Sequence, residues 1–176
     1  MNQISDQNSA ILQVEELKKY FPIRRGFLQR TVGWVKAVEN VSFQIKKGKT
    51  LGLVGESGCG KTTVARLILK LLDADGGRII FKGKDLVPLS AREMKPLRRE
   101  IQIIFQDPYG SLNPRMTVGQ SIAEGLRVAG IHPGPDQKKR LQKLLKMVGM
   151  SPATIDRYPH EFSGGQRQRI GIARAL

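Results

Sequence analysis

Hydrophobic positions in the first third of the chain alternate with polar ones, and those in the last third recur every three to four residues. Residues 11–21 and Val35–Ile45 follow the first pattern, with Val41, Phe43 and Ile45 on one side of an extended strand. Lys46-Lys47-Gly48 makes a turn, and Thr50–Val54 is a short apolar run ending in glycine, the pattern of a buried strand. From Thr62 the period changes. Val64, Leu67, Ile68 and Leu71 fall at i, i+3, i+4 and i+7, which predicts a helix over 62–72. Asp73-Ala74-Asp75-Gly76-Gly77 ends it and leads into a strand over Arg78–Phe81. Ser90 and Glu93 have capping-box spacing and open a short helix that Pro96 must disturb. Ile101, Ile103 and Phe105 alternate, predicting a strand over 100–105. Beyond Pro114 the chain turns helical, over Val118–Val128 and Gln137–Val148, with loops at Gly130–Pro135 and Gly149–Pro152. Ser163 opens a last helix that runs through Ile170 and Ala173.

This order predicts an α/β chain: an antiparallel strand part, an inserted α-helical subdomain, and a helix returning toward the first part. The expected divisions are 1–110, 111–160 and 161–176. The last helix reaches Leu176 without a cap, a glycine or a trailing turn. Four or five strand candidates are also few for a sheet with helices on both faces. The chain is therefore expected to be C-terminally incomplete.

Composition narrows the classes. At 176 residues, 40% hydrophobic and 26% charged, the chain can bury a core, as a disordered chain cannot. No run approaches the roughly 18 apolar residues of a membrane span. The polar start, Met1–Ala10, lacks the plan of a secretory signal, which predicts a cytosolic chain. The single cysteine, Cys59, excludes an internal disulfide framework and a multi-cysteine metal site.

Thirty Lys and Arg against 15 Asp and Glu give a formal charge of +15. The excess is spread out: 19 basic and 11 acidic side chains precede Gly110, and 11 and 4 follow from there. Such a balance suits nucleic acid, anionic lipid headgroups or nucleotide phosphates, and equally a solvated basic surface. One stretch interleaves aromatic and basic residues: Lys18, Lys19, Tyr20, Phe21, Arg24, Arg25, Phe27, Arg30, Trp34 and Lys36. It has the make-up to stack bases and hold phosphates, or to form a strand pair with a basic hairpin.

The strongest chemical signal is Gly55-Glu56-Ser57-Gly58-Cys59-Gly60-Lys61-Thr62, a G-x-x-x-x-G-K-[ST] loop between a predicted strand and a predicted helix. Glycines let backbone N–H groups converge on phosphate oxygens, and the helix N-terminus adds its positive dipole. Lys61 supplies a point charge to the β- and γ-phosphates, Thr62 a hydroxyl for Mg²⁺, and Thr63 a further phosphate contact. Cys59 sits at a variable position of the loop, as a small residue that fits. ATP and Mg²⁺ are thus the expected cofactors.

Two more motifs follow in Phe105-Gln106-Asp107-Pro108 and Phe162-Ser163-Gly164-Gly165-Gln166. With them the chain resembles the ATP-binding subunits of ABC transporters. P-loop, Q-loop and signature stand in the family's order, 45 and then 57 residues apart. The resemblance covers nearly the whole chain and implies a P-loop NTPase core of the ABC ATPase type. It implies that Ser163, Gly165 and Gln166 of one subunit meet the γ-phosphate held by Lys61 of another in a head-to-tail dimer, homo- or heteromeric. Gln106 would reach Mg²⁺ and the attacking water, making Gln106 and Lys61 the catalytic candidates. An aromatic residue before the P-loop would stack on adenine, with Tyr20 as candidate and Phe21 as alternate.

The segment Phe105–Val118 resembles the oligopeptide, dipeptide and nickel importer ATPases, and the long insert Pro22–Val35 agrees. The resemblance implies peptide import, membrane permease partners, an indirect link to a substrate-binding protein, and a peripheral place on the cytoplasmic face of the membrane. No direct nucleic-acid contact is expected, although the charge permits a soluble ABC-type ATPase acting on nucleic acid. A non-hydrolysing nucleotide-binding fragment is the other alternative. The family's Walker B Asp, catalytic Glu and switch His would fall beyond Leu176, so residues 1–176 alone are expected to hydrolyse ATP negligibly. His160 precedes the signature and is not that histidine; a helix-flanking or capping role suits it. The transported substrate and the permease are not legible.

Overall fold

The computed structural model describes residues 10–27, 29–128 and 130–176, with backbone only at Pro108 and Tyr109. The polar segment 1–9 read above lies outside them. The chain divides into two compact units, one running to Arg98 and one spanning Arg99–Leu176.

The first unit is built on β1 (Ala10–Arg25) and β2 (Arg30–Lys46), a long antiparallel hairpin. Both strands extend beyond the expected 11–21 and 35–45, because the basic–aromatic stretch between them pairs with itself. Two register shifts absorb residues of positive φ: Glu16 (φ 45°), whose N–H donates to Ser42 Oγ at 2.8 Å, and Asn40 (φ 53°). On the other edge of β1 lies β3 (Gly76–Phe81), followed by the two-residue β4 (Lys84–Asp85). The four-stranded sheet has the order β2-β1-β3-β4, antiparallel throughout. Alternation buries Leu12, Val14, Leu17, Val38, Ile79 and Phe81.

Helix α1 (Lys61–Ile68) buries Val64 and Leu67 as its spacing demands. It stops short of the expected Leu72. Lys70 takes φ 52°, the Leu71 N–H turns back to the Arg66 carbonyl, and the Leu71 side chain is exposed. Helix α2 (Ala91–Leu97) carries the expected capping box: Glu93 Oε2 accepts from the Ser90 N–H at 2.9 Å. Pro96 ends it within two residues.

Two expected strands do not form. Thr50–Val54 has no regular structure, and Leu51, Leu53 and Val54 are exposed, Val54 at 93%. Residues 100–105 are likewise irregular, with Ile104 and Phe105 exposed. The reason is non-local. A strand needs neighbours to supply ladder hydrogen bonds and cover, and neither segment pairs with a described strand.

The second unit is helical: α3 (Pro108–Ser111), α4 (Val118–Val128), α5 (Pro135–Met147), two 3-10 turns (Pro152–Thr154 and Pro159–Glu161) and α6 (Gly164–Ala175). Its core joins Val118, Ile122 and Leu126 of α4 to Leu141, Leu144 and Leu145 of α5 and to Ile170 and Ala173 of α6, with Leu112, Met150 and Phe162. Ile170 and Ala173 lie on the helix that the sequence opens at Ser163.

Candidate functional site

The glycine-rich loop enters α1 through Gly60, which caps the helix in the left-handed region at φ 95°. A Cβ at Gly60 would fall on the carbonyl oxygen of Ala37 in β2. Only glycine therefore allows both this turn and this approach to the sheet. Lys61 is the first helical residue. Its ammonium donates to the carbonyls of Gly55 at 2.7 Å and Glu56 at 2.5 Å, and to Cys59 Sγ at 3.4 Å. The start of the loop is thus wound around one cation, which engages the Gly55 and Glu56 carbonyls.

Gly55, Glu56, Ser57, Gly58 and Cys59 are exposed, Gly60 is half-buried, and α1 has no acidic residue in its first turn. The positive helix end is therefore not neutralised from within. Thr62 is exposed and Thr63 half-buried. Cys59 is a free, exposed thiol, and a Cβ on Gly55 would sit 2.6 Å from its sulfur. This arrangement offers an anion a lysine, free helix N–H groups and two hydroxyls on one rigid turn, which fits the polyphosphate of ATP. Thr62 and Gln106, the hydroxyl and the amide expected to hold Mg²⁺, are each exposed. Among the described residues no group of three or more His, Cys, Asp or Glu forms a metal cluster.

Tyr20 lies on β1 opposite Lys36, and Phe21 opposite Val35. Adjacent strand positions face opposite ways, so the two rings occupy different faces. The Tyr20 hydroxyl donates to Glu39 Oε1 at 3.4 Å, with Lys36 Nζ 5.9 Å from its ring. Lys36 in turn bonds Glu39 at 2.8 Å. That hydrogen bond holds the Glu39 carboxyl below its ordinary range and raises the Lys36 ammonium. The backbone of Tyr20 is fixed as well, its N–H donating to Asp75 Oδ2 at 2.6 Å while Lys19 bonds Oδ1 at 3.0 Å. Burial pushes Asp75 up, but these two donors prevail and hold it low. Phe21 is 37% exposed, with Lys19 Nζ 5.6 Å from its ring centroid.

In the helical unit, Ser163 caps α6. Its hydroxyl accepts from the Gln166 N–H at 3.3 Å, and the Gln166 side chain accepts from the Ser163 N–H at 3.0 Å. Gln166 is thus used in a capping box, a role the sequence reading did not give it. The exposed Gly165 has open space where a Cβ would stand. Buried Phe162 anchors the turn from behind, and Arg167 Nε bonds its carbonyl at 2.9 Å.

Gln106 is exposed in the irregular segment before α3. The residue before it is tied to α6, since Gln168 Nε2 donates to the Phe105 carbonyl at 3.4 Å. Arg174 Nη1 likewise reaches the Ser111 carbonyl at 2.6 Å. Side chains of the signature helix therefore hold the Gln106 segment at both ends. Sequence reasoning missed Gln168 and Arg174, and only their polar character on an amphipathic helix gave any signal. His160 lies in the second 3-10 turn, and its ring stacks on Tyr158 with centroids 5.7 Å apart.

Residues 38–176 match the family model described as ABC transporter. The chain is 52% identical over 167 residues to the oligopeptide transport ATP-binding protein AppF of Bacillus subtilis (strain 168), covering 94% of this chain and 51% of the relative. To the glutathione import ATP-binding protein GsiA of Escherichia coli (strain K12) it is 55% identical over 166 residues, covering 94% of this chain and 27% of that protein. It thus spans about half of one curated relative and about a quarter of the other. Among solved structures, the dimeric post-hydrolysis state of the ATP-binding cassette MJ0796 bound to ADP and Pi matches with a TM-score of 0.79 and 27% identity, over 94% of this chain and 68% of that one. CbiO1 from Clostridium perfringens, part of the ABC transporter complex cbiONQ, matches with a TM-score of 0.72 and 29% identity, over 95% and 61%. The chain belongs to the ABC transporter family, within its ATP-binding cassettes.

Proposed function

We propose that the protein carrying this chain is the ATP-binding and ATP-hydrolysing subunit of an importer for oligopeptides or dipeptides. The observation that carries the nucleotide part is the Gly55–Thr62 loop wound on Lys61 at the open end of α1. Likeness to the oligopeptide protein AppF and the glutathione protein GsiA supports the peptide part.

In this reading Gly55, Glu56, Ser57, Gly58, Cys59 and Gly60 wrap the phosphates, and Lys61 leaves the loop carbonyls for the β- and γ-oxygens. Thr63 adds a phosphate contact, and Tyr20 stacks on adenine. Thr62 and Gln106 hold Mg²⁺, which when bound neutralises phosphate charge. Ser163, Gly165 and Gln166 of a second subunit close on the γ-phosphate, so nucleotide binding drives head-to-tail dimerisation. The exposed open cap of α6 is suited to that task. Gln106 orients the attacking water and passes the nucleotide state to a membrane permease, with a substrate-binding protein further upstream. Divisions at 1–110, 111–160 and 161–176 would separate nucleotide core, helical subdomain and signature. Among the described residues no helix is long and apolar enough to cross a membrane. In this reading the subunit sits peripherally at the cytoplasmic face, held by the permease.

The test is uptake by the whole protein reconstituted with its permease. ATP-dependent accumulation of a labelled dipeptide, abolished by Lys61→Ala, is expected. ATP hydrolysis that persists in Lys61→Ala would exclude the proposed role of the loop.

A further inference from the structure

The tip of the β1–β2 hairpin, beyond Tyr20 and Phe21, has no part in the nucleotide reading. Pairing of β1 with β3 ends at Lys18 opposite Gly76, whereas pairing with β2 continues to Arg25 opposite Arg30. Beyond Lys18 the hairpin is therefore a two-stranded ribbon that projects about 20 Å past the sheet, at roughly 3.3 Å per residue. Two-stranded ribbons uncovered on both faces are marginal in water.

This ribbon is nonetheless rich in exposed apolar side chains. Ile23, Val32 and Val35 are exposed, Trp34 is 60% exposed, and Phe27 at the tip is fully so. From Lys18 to Lys36 there are six basic residues and no acidic one. Lys19 and Lys36 have carboxylate partners, but among the described residues Arg24, Arg25 and Arg30 take part in no salt bridge. The composition is that of a surface made for an anionic apolar boundary: aromatic and aliphatic side chains to enter it, guanidinium groups to meet its charge.

We propose that the tip of this hairpin, Ile23–Val35, docks on an anionic lipid bilayer. Phe27, Val32 and Trp34 enter the headgroup–acyl boundary, and Arg24, Arg25 and Arg30 pair with lipid phosphates. A boundary depth of about 5–10 Å is well within the reach of the ribbon. Nucleic acid would use the arginines and the rings, but it would leave the exposed Val32 in water where a lipid boundary takes it in, and this decides for lipid. The proposal stands independently of the P-loop, since none of its residues belongs to the nucleotide site.

Trp34 is the single tryptophan, so its fluorescence reports the tip alone even though other basic surfaces also attract vesicles. The protein is titrated with phosphatidylcholine vesicles with and without phosphatidylglycerol, and then with vesicles carrying bromine on the acyl chains. Expected are a blue shift of Trp34 emission and quenching by the bromines, both requiring phosphatidylglycerol. Affinity measured through this signal falls about 100-fold in the triple variant Arg24→Gln, Arg25→Gln, Arg30→Gln, from a contribution of about fivefold per basic side chain. Phe27→Ser keeps the charge and weakens the quenching; circular dichroism establishes that both variants fold. Sedimentation with vesicles while Trp34 stays unshifted and unquenched would overturn the proposal. So would a Trp34 response to a single-stranded oligonucleotide and none to vesicles, or an undiminished response in the triple variant.

Discussion

Three glycines of the first unit separate two costs that a glycine substitution usually mixes. Gly58, Gly60 and Gly77 all take left-handed backbone, at φ 83°, 95° and 86°. Alanine at any of them carries a strain of roughly 1–2 kcal/mol. At Gly58 an added methyl would meet nothing within 4 Å. At Gly60 it would overlap the Ala37 carbonyl, and at Gly77 it would lie 2.5 Å from the carbonyl oxygens of Glu15 and Glu16. Backbone oxygens cannot swing aside as a side chain does, so the loop or the sheet must move, adding about 1–3 kcal/mol.

Gly58→Ala should therefore lose about 1–2 kcal/mol, and Gly60→Ala and Gly77→Ala about 2–5 kcal/mol, by urea unfolding. Nucleotide affinity sorts the latter two. Gly60→Ala shifts the loop that carries Lys61 and should weaken ATP at least about tenfold, the effect of roughly 1.4 kcal/mol. Gly77→Ala, corrected for its folded fraction, should bind ATP as the parent does. If Gly60→Ala unfolds with Gly58→Ala, the close approach of loop and β2 is not a determinant of this fold.

Ile170 is fully buried at the centre of the helical core, so Ile170→Ala should cost about 2–5 kcal/mol in the same unfolding assay. Asp75 is held below the ordinary aspartate value of 3.8, so its clamp on Tyr20 and Lys19 contributes stability above that pH and loses it as pH falls through the depressed value. Asp75→Asn should therefore destabilise at neutral pH by about 1 kcal/mol, and parent and variant should converge in acid; a pH-independent difference would contradict the clamp. Modification of the exposed Cys59 thiol should block nucleotide binding by bulk, and ATP should protect it; mass spectrometry follows the modification, and unimpaired ATP binding after complete modification would exclude this placement.

What the sequence made legible was local or short-range. The loop from Gly55 to Thr62, the capping pair Ser90 and Glu93, and the i, i+3, i+4 positions of α4 to α6 depend on neighbours a few residues away. Each appears where the pattern puts it. Thr50–Val54 and residues 100–105 carry strand patterns but form no strand, because ladder partners are a property of distant chain. The length of the hairpin escaped for the opposite reason. Its basic and aromatic tip has no clear two-residue period; a strand pair with a basic hairpin is one of its two readings, and the tip does pair with itself, with a register shift between Ile23 and Arg24. Gln168 and Arg174 could not have been read as supports of the Gln106 segment, since their acceptors are backbone carbonyls 63 residues away.

The most direct test of the central claim is unfolding of this chain with and without ATP and Mg²⁺. At about 100 times the dissociation constant, nucleotide held by a folded P-loop should add about 2.7 kcal/mol. For a domain of this size that is a rise of about 5–10 °C in Tm. Lys61→Ala should abolish the rise. A chain that melts at the same temperature with and without nucleotide, or a Lys61→Ala variant stabilised as much as the parent, would contradict the assignment of the Gly55–Thr62 loop as the ATP site.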